Sequence, residues 1–278
     1  MVRPILALFL FAVAASSADQ SSKVALSPPL AQWKAEIEAT GKTTVVLARV
    51  FTDAGRNELT LPSDAEFRPF LRSLLQSEAF VAQFVQTHAI NVNSHTGLRP
   101  ISVVLLNMAR AADWDGQEEA VIAHELGHIW LHASGYPAPQ AARGLSCEAV
   151  HSGDMVQHIL IREQMRARRI AFLPFWRSTL ESALAEMQEA PGDQPLLRAD
   201  RCRRISRLAL WVDVALGMSD RDWSRRPEFL DALRSRFPEL RKPTMAITTL
   251  LRGHNLQDRA EYQRVMNGVL SEVHRLER

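Results

Sequence analysis

His124 and His128, with Glu125 beside the first, are the residues of this 278-residue chain whose types and spacing are suited to chemistry. They lie in the stretch HELGHIWLHA, residues 124 to 133. On an α-helix, positions i and i+4 share a face, so both imidazoles reach one metal ion at about 2.0–2.1 Å. Glu125 points to a neighbouring azimuth, within range of a water at that metal. Zinc lowers the pKa of such a water towards about 7, and a carboxylate there takes the proton as general base. His-Glu-x-x-His on a helix is the pattern of a catalytic zinc site.

Two nitrogens leave such a site incomplete, because catalytic zinc takes three protein ligands and keeps a fourth position open. His132 is excluded by geometry: it stands about 12 Å along the helix axis from His124. The pattern H-E-x-x-H-x-x-G-x-x-H also fails, with Leu131 where its glycine belongs and Ser134 where its last histidine belongs. The remaining candidates lie in CEAVHSGDMVQHILIREQM, residues 147 to 165: Glu148, His151, Asp154, His158 and Glu163. His158 is the first choice and Asp154 the second, four apart on a helix predicted to begin near Gly153. Asp154 has a plainer role open to it, capping that helix in a box with Gln157. His158 sits among Met155, Val156, Ile159 and Leu160, where a packed core histidine is the plainer reading.

These side chains need elements to hold them. Asp115 and Glu118 form a capping pair that predicts a helix start near Gly116, and Gly135 with Pro137 ends it after about 19 residues. Ile122, Leu126, Ile129 and Ala133 recur at helical spacing on the opposite face, which anchors the helix in a core. Ala123 and Gly127 make a small strip for a close neighbour. An interior glycine costs about 1 kcal/mol against alanine, so packing explains Gly127. Upstream, ISVVLLNMA (101 to 109) is the clearest buried strand and TTVVLARVF (43 to 51) a second, with ELTLP as a short antiparallel partner. Helices are predicted from Leu30 to Thr40, from a Ser63/Glu66 capping box to about Leu75, and from Ser77 to about His88. INVNSHTGLRP reads as a loop. Past the HELGH helix every strong pattern is helical, with breaks at Pro137/Pro139, Pro191 to Pro195, Pro227 and Pro243. The expected fold is α+β: a small mixed α/β lobe over about 30–135, the HExxH helix, and a mainly helical lobe over about 136–278. Residues 19–278 then form one domain. Trp176, Trp211 and the stretch 172 to 175 read as core.

Composition excludes more than it selects. The chain is 46% hydrophobic and 23% charged with a net charge of +2, so no nucleic-acid partner is expected. The arginine-rich runs REQMRARR (162 to 169) and RADRCRRISR (198 to 207) interleave with apolar positions and read as solvated helix faces. MVRPILALFLFAVAASSADQ has a basic start, an apolar run too short to span a bilayer, and small residues before Asp19. Residues 1–18 are therefore expected to be a signal peptide, with no cysteine for a lipid anchor and no stable membrane anchor. The product is expected to be periplasmic or extracellular. Export permits Cys147 and Cys202 to pair, two buried thiols being the alternative. Pairing would close a loop of about 55 residues, worth roughly 4 kcal/mol in the chain-entropy model.

HELGHIWLH, after a strand and before a helical lobe, resembles the zincin metallopeptidases, and locally the ImmA/IrrE-type group. The resemblance implies a zincin-like fold, Zn2+ as cofactor, His124 and His128 as zinc ligands, and Glu125 as the catalytic base. It implies hydrolysis of a peptide or protein substrate, bound by edge addition to a strand such as Ile101 to Ala109. Two features depart from the group. The E-x-x-x-D form that supplies a glutamate ligand in gluzincins is absent from residues 147 to 165, and an export signal differs from the intracellular setting of ImmA/IrrE proteins. The alternative is a zincin-fold protein that binds a metal or a partner without turnover.

Overall fold

The structure is a computed structural model and describes residues 24–53, 58–61, 67–94, 100–138, 147–189 and 200–276. The expected signal peptide and the Ser63/Glu66 capping box lie outside the described residues. Helix α1 (Pro28–Gly41) leads into strand β1 (Thr44–Asp53), which pairs antiparallel with the short β2 (Glu58–Thr60). Helices α2 (Arg68–Leu75) and α3 (Glu78–Phe84) follow, then β3 (Ala89–Ser94) and β4 (Ile101–Asn107). The sheet order is β2-β1-β4-β3, with β1 parallel and β3 antiparallel to β4. The fold is α+β, as composition and pattern led one to expect.

Strand β4 is buried on both faces, which is why it reads as an unbroken apolar run. Val103 and Leu105 turn towards Leu71 of α2 and Phe84 of α3, while Val104 and Leu106 turn towards the helix that carries HELGH. Because β4 is paired on both sides, it has no free edge, and the expectation that it receives an extended substrate is overturned. Among the described residues the edge beyond it belongs to β3. That strand was expected to be a loop, since its asparagines hide its alternation. Ile90 packs on the α2/α3 side, and Asn91 and Asn93 alternate to the other face, where each finds a side-chain partner.

A 3-10 segment (Met108–Trp114) and a turn with Gly116 at φ +69 deliver the chain to α4 (Glu118–Ala133), the HELGH helix. The expected Asp115 cap is not formed. The left-handed turn at Gly116 separates Asp115 from the helix, whose N-cap is Gln117 without a side-chain bond. Glu118 is instead gripped by Arg49 of β1 through both carboxylate oxygens, the closest contact being 2.8 Å. Gly135, at φ +76, stops the helix where expected.

The rest is helical: α5 (Cys147–Ala167), α6 (Leu173–Glu189), α7 (Arg201–Gly217), α8 (Arg226–Arg236), α9 (Arg241–Arg252) and α10 (Arg259–Arg275). One buried cluster runs from the α4 face of the sheet through α4 and α5 into α7 and α10. Trp211 belongs to it, and Trp176 packs partly buried against it. Helix α5 begins at Cys147 rather than near Gly153, so Asp154 sits in its second turn and cannot cap it. Cys147 and Cys202 are disulfide-bonded, with Cα atoms 5.7 Å apart, which ties the first turn of α5 to the first turn of α7. No helix among the described residues is long and apolar enough to cross a membrane.

Candidate metal centre

Helix α4 places His124 and His128 on one face, and their Nε2 atoms lie 3.3 Å apart. Two ligands of a tetrahedral ion at about 2.0–2.1 Å stand about 3.3–3.4 Å from each other. The spacing therefore fits a shared ion. Helix α5 approaches α4 closely because Gly127 has no side chain: a Cβ there would lie 2.5 Å from Cγ2 of Ile161. That approach carries His158 to the pair, its ring centroid 4.7 Å from that of His124 and 5.7 Å from that of His128. One ligand atom from each of the three lies within 4.8 Å of the other two, the one such cluster among the described residues.

The second ring nitrogens decide which atoms face the metal. Nδ1 of His128 is 2.8 Å from Oε1 of Gln157 on α5, and an Nδ1–H donor there leaves Nε2 unprotonated. Nδ1 of His158 faces Oδ1 of Asp213 on α7 at 3.7 Å. Its Nε2 is buried and has no hydrogen-bond partner, which suits a metal ligand and poorly suits a packed core histidine. Burial, together with the neighbouring imidazole of His158, holds His124 and His128 low, His128 at about 4, so both are neutral near pH 7. The residues present fit a metal ion.

The other candidates fall elsewhere. Asp154 stays outside the three-histidine cluster, with Oδ1 3.6 Å from Nε2 of His158 and Oδ2 3.4 Å from Nδ1 of His151. His151 lines, with His124 and His158, the cavity beside this cluster. Glu148 is paired with Arg201 and His274, and Glu163 accepts from Gln257 at 2.8 Å, so neither joins the cluster. His132, excluded on helical rise, is likewise outside it.

Glu125 is 8% exposed and accepts a 2.7 Å hydrogen bond from Nδ2 of Asn91 on β3 at Oε2. Burial lifts its carboxyl to about 7 although the Asn91 amide favours the charged form. Such a group holds or releases a proton near neutrality, as general-base chemistry requires. Glu125, His124 and His158 line a cavity of about 420 Å³.

Sequence reasoning misses three members of this neighbourhood. Asn91 lies in the stretch expected to be a loop. Asp213 was not singled out, although it is the lone charge in the apolar run Leu208–Leu216. Arg162, assigned to a solvated face, is buried and ion-paired with Asp213 instead. Its guanidinium also lies 4.3 Å over the Trp176 ring, with Gly217 making room, since a Cβ there would meet both groups at 2.6 Å. No protein-family model matches the chain, and neither a curated protein nor a solved structure matches it.

Proposed function

We propose that this chain is a zinc-dependent metallopeptidase, with His124, His128 and His158 holding the ion and Glu125 as general base. The observation that carries the reading is the convergence of three histidines from two helices, two of which, His124 and His158, line one cavity with a buried carboxylate. A zinc ion held there would polarise a peptide carbonyl and ease deprotonation of water. Glu125 takes the proton of the attacking water and delivers it to the departing amine. Asn91 fixes one oxygen of Glu125 and leaves the other for that transfer. Asp213 and Gln157 hold the rings of His158 and His128 from behind. His88 and Ala89, at the start of β3, line the same cavity. An extended substrate thus has an edge strand beside the metal, and β3 takes the role that the zincin resemblance gave to β4. Export to an oxidising compartment belongs to the same proposal, and the Cys147–Cys202 bond supports it.

The test is metal content and peptide turnover for wild type and Glu125→Gln. Both should carry one zinc per chain, and the variant should lose turnover by about 10²–10⁴-fold. Equal cleavage by the two proteins would sink the assignment of Glu125. Zinc in both with cleavage by neither would favour the alternative, a metal-binding protein without turnover.

A further inference from the structure

We infer that the cavity selects substrates with a large apolar side chain, aromatic or branched aliphatic, next to the bond that is cut. The inference rests on the peptidase reading and adds what the substrate must carry. The cavity has two ends of different chemistry. At the metal centre Glu125, Asp154 and His151 stand beside the histidines, with Asp213 and its partner Arg162 behind His158. Away from it the wall is built by Met165 of α5, Leu210 of α7, and Phe172, Phe175 and Trp176 at the start of α6. The rings of Phe172 and Trp176 lie 6.2 Å apart, and Phe175 meets His88 edge-on at 5.4 Å. The aromatic wall of the helical lobe therefore touches the start of β3, the strand along which a peptide would run.

Size and charge both point to an apolar guest. A phenyl ring needs about 150 Å³ of dry space, so a cavity of about 420 Å³ admits one beside the scissile bond with room for backbone. Charge at this end is cancelled internally, because Arg162 is ion-paired with Asp213 and covered by Trp176. A lysine side chain entering here would lose its water and find the Asp213 carboxylate already paired with Arg162. Thr179 adds a hydroxyl but no charge.

The test separates this inference from the peptidase reading. Zinc-loaded Glu125→Gln protein is titrated calorimetrically with 3-phenylpropionohydroxamic acid and with acetohydroxamic acid, which share the metal-binding group and differ in the ring. The phenyl compound should bind at least about 10-fold more tightly, as burial of a ring implies. Thr179→Trp, which fills the chamber from α6, should erase that difference while zinc content stays at the wild-type level. Wild-type protein on a mixed peptide library should show enrichment of Phe, Leu or similar residues at one position flanking the cut, and Thr179→Trp should shift it towards Ala or Gly. Equal affinity for the two hydroxamates would overturn the inference and leave the metal centre standing. Binding of neither compound to the zinc-loaded protein would overturn both.

Discussion

His124 and His128 owe their spacing to one helix, whereas His158 reaches them only because α5 lies against α4 and α7 lies against α5. The two parts of the centre are supported differently as well. Behind His128 stands the neutral amide of Gln157, one residue before His158 on the same helix. Behind His158 stands Asp213, a buried carboxylate from α7 whose charge is balanced by Arg162. A helix fixes an i, i+4 pair almost without outside help, because the backbone hydrogen bonds that build the helix also set the spacing. A third ligand from another element needs close packing and a defined partner. The α4 part should therefore tolerate change around it, and the α5–α7 part should not.

The largest expected effect is the loss of a ligand. His158→Ala should lower zinc affinity by more than the roughly 10–100-fold that a lost supporting contact costs, measured by competition with a chelator of known strength. Unchanged affinity would place the third ligand elsewhere and dissolve the comparison. Asp213→Asn comes next, because it strips a charge from behind His158 and leaves Arg162 buried without its partner. Zinc affinity should fall about 10–100-fold, and the metal-free protein should lose about 3–5 kcal/mol in denaturant unfolding. Gln157→Ala, at the other part, should lower affinity less and leave stability closer to wild type. Equal losses from the two variants would mean that the charge at Asp213 does nothing special.

Gly127→Ala probes the packing that brings the two parts together. Its Cβ would collide with Ile161, so about 1–3 kcal/mol of stability should be lost. Adding Ile161→Ala should restore much of the zinc binding if close approach of α5 is what matters. The smallest effect is on acidity. Burial alone would lower His158, but Asp213 and Asp154 outweigh it and raise the ring above its ordinary value. His124 and His128 are held low, so His158 is the first of the three to take a proton as pH falls. Protons then compete with zinc for that one ring. Affinity should drop by up to about tenfold per pH unit below the raised His158 value and level off above it. A steeper drop near neutrality would show that a second ligand titrates there.

What can be read from the chain without its structure follows the same divide. The HELGH helix, its end at Gly135, the packing role of Gly127 and the strands β1, β2 and β4 are signalled by neighbours within a few residues. His158 ranks first among five candidates for a reason just as local, its place one turn past Asp154 on a predicted helix, where a side chain can reach across. Asn91, Asp213 and Arg162 escape notice because their partners lie 34 to 55 positions away in the chain, at offsets that no local period encodes. The helix starts fail in milder form. A turn at Gly116 and a disulfide at Cys147 override capping patterns that would be sound in isolation.

The disulfide has a geometry that reaches the metal centre. Eleven residues separate Cys147 from His158, and eleven separate Cys202 from Asp213. Eleven residues are close to three helical turns, about 16 Å along the axis. Helices α5 and α7 thus run in the same direction with a constant offset, and the bond works as a vernier stop that sets the phase of one against the other. A slip of one residue in α7 would swing Asp213 about 100° away from His158. The sulfur bridge forbids that slip from a position three turns away. With the two helices held in phase, the His158 imidazole is aimed at the other two by the protein itself rather than by a metal ion.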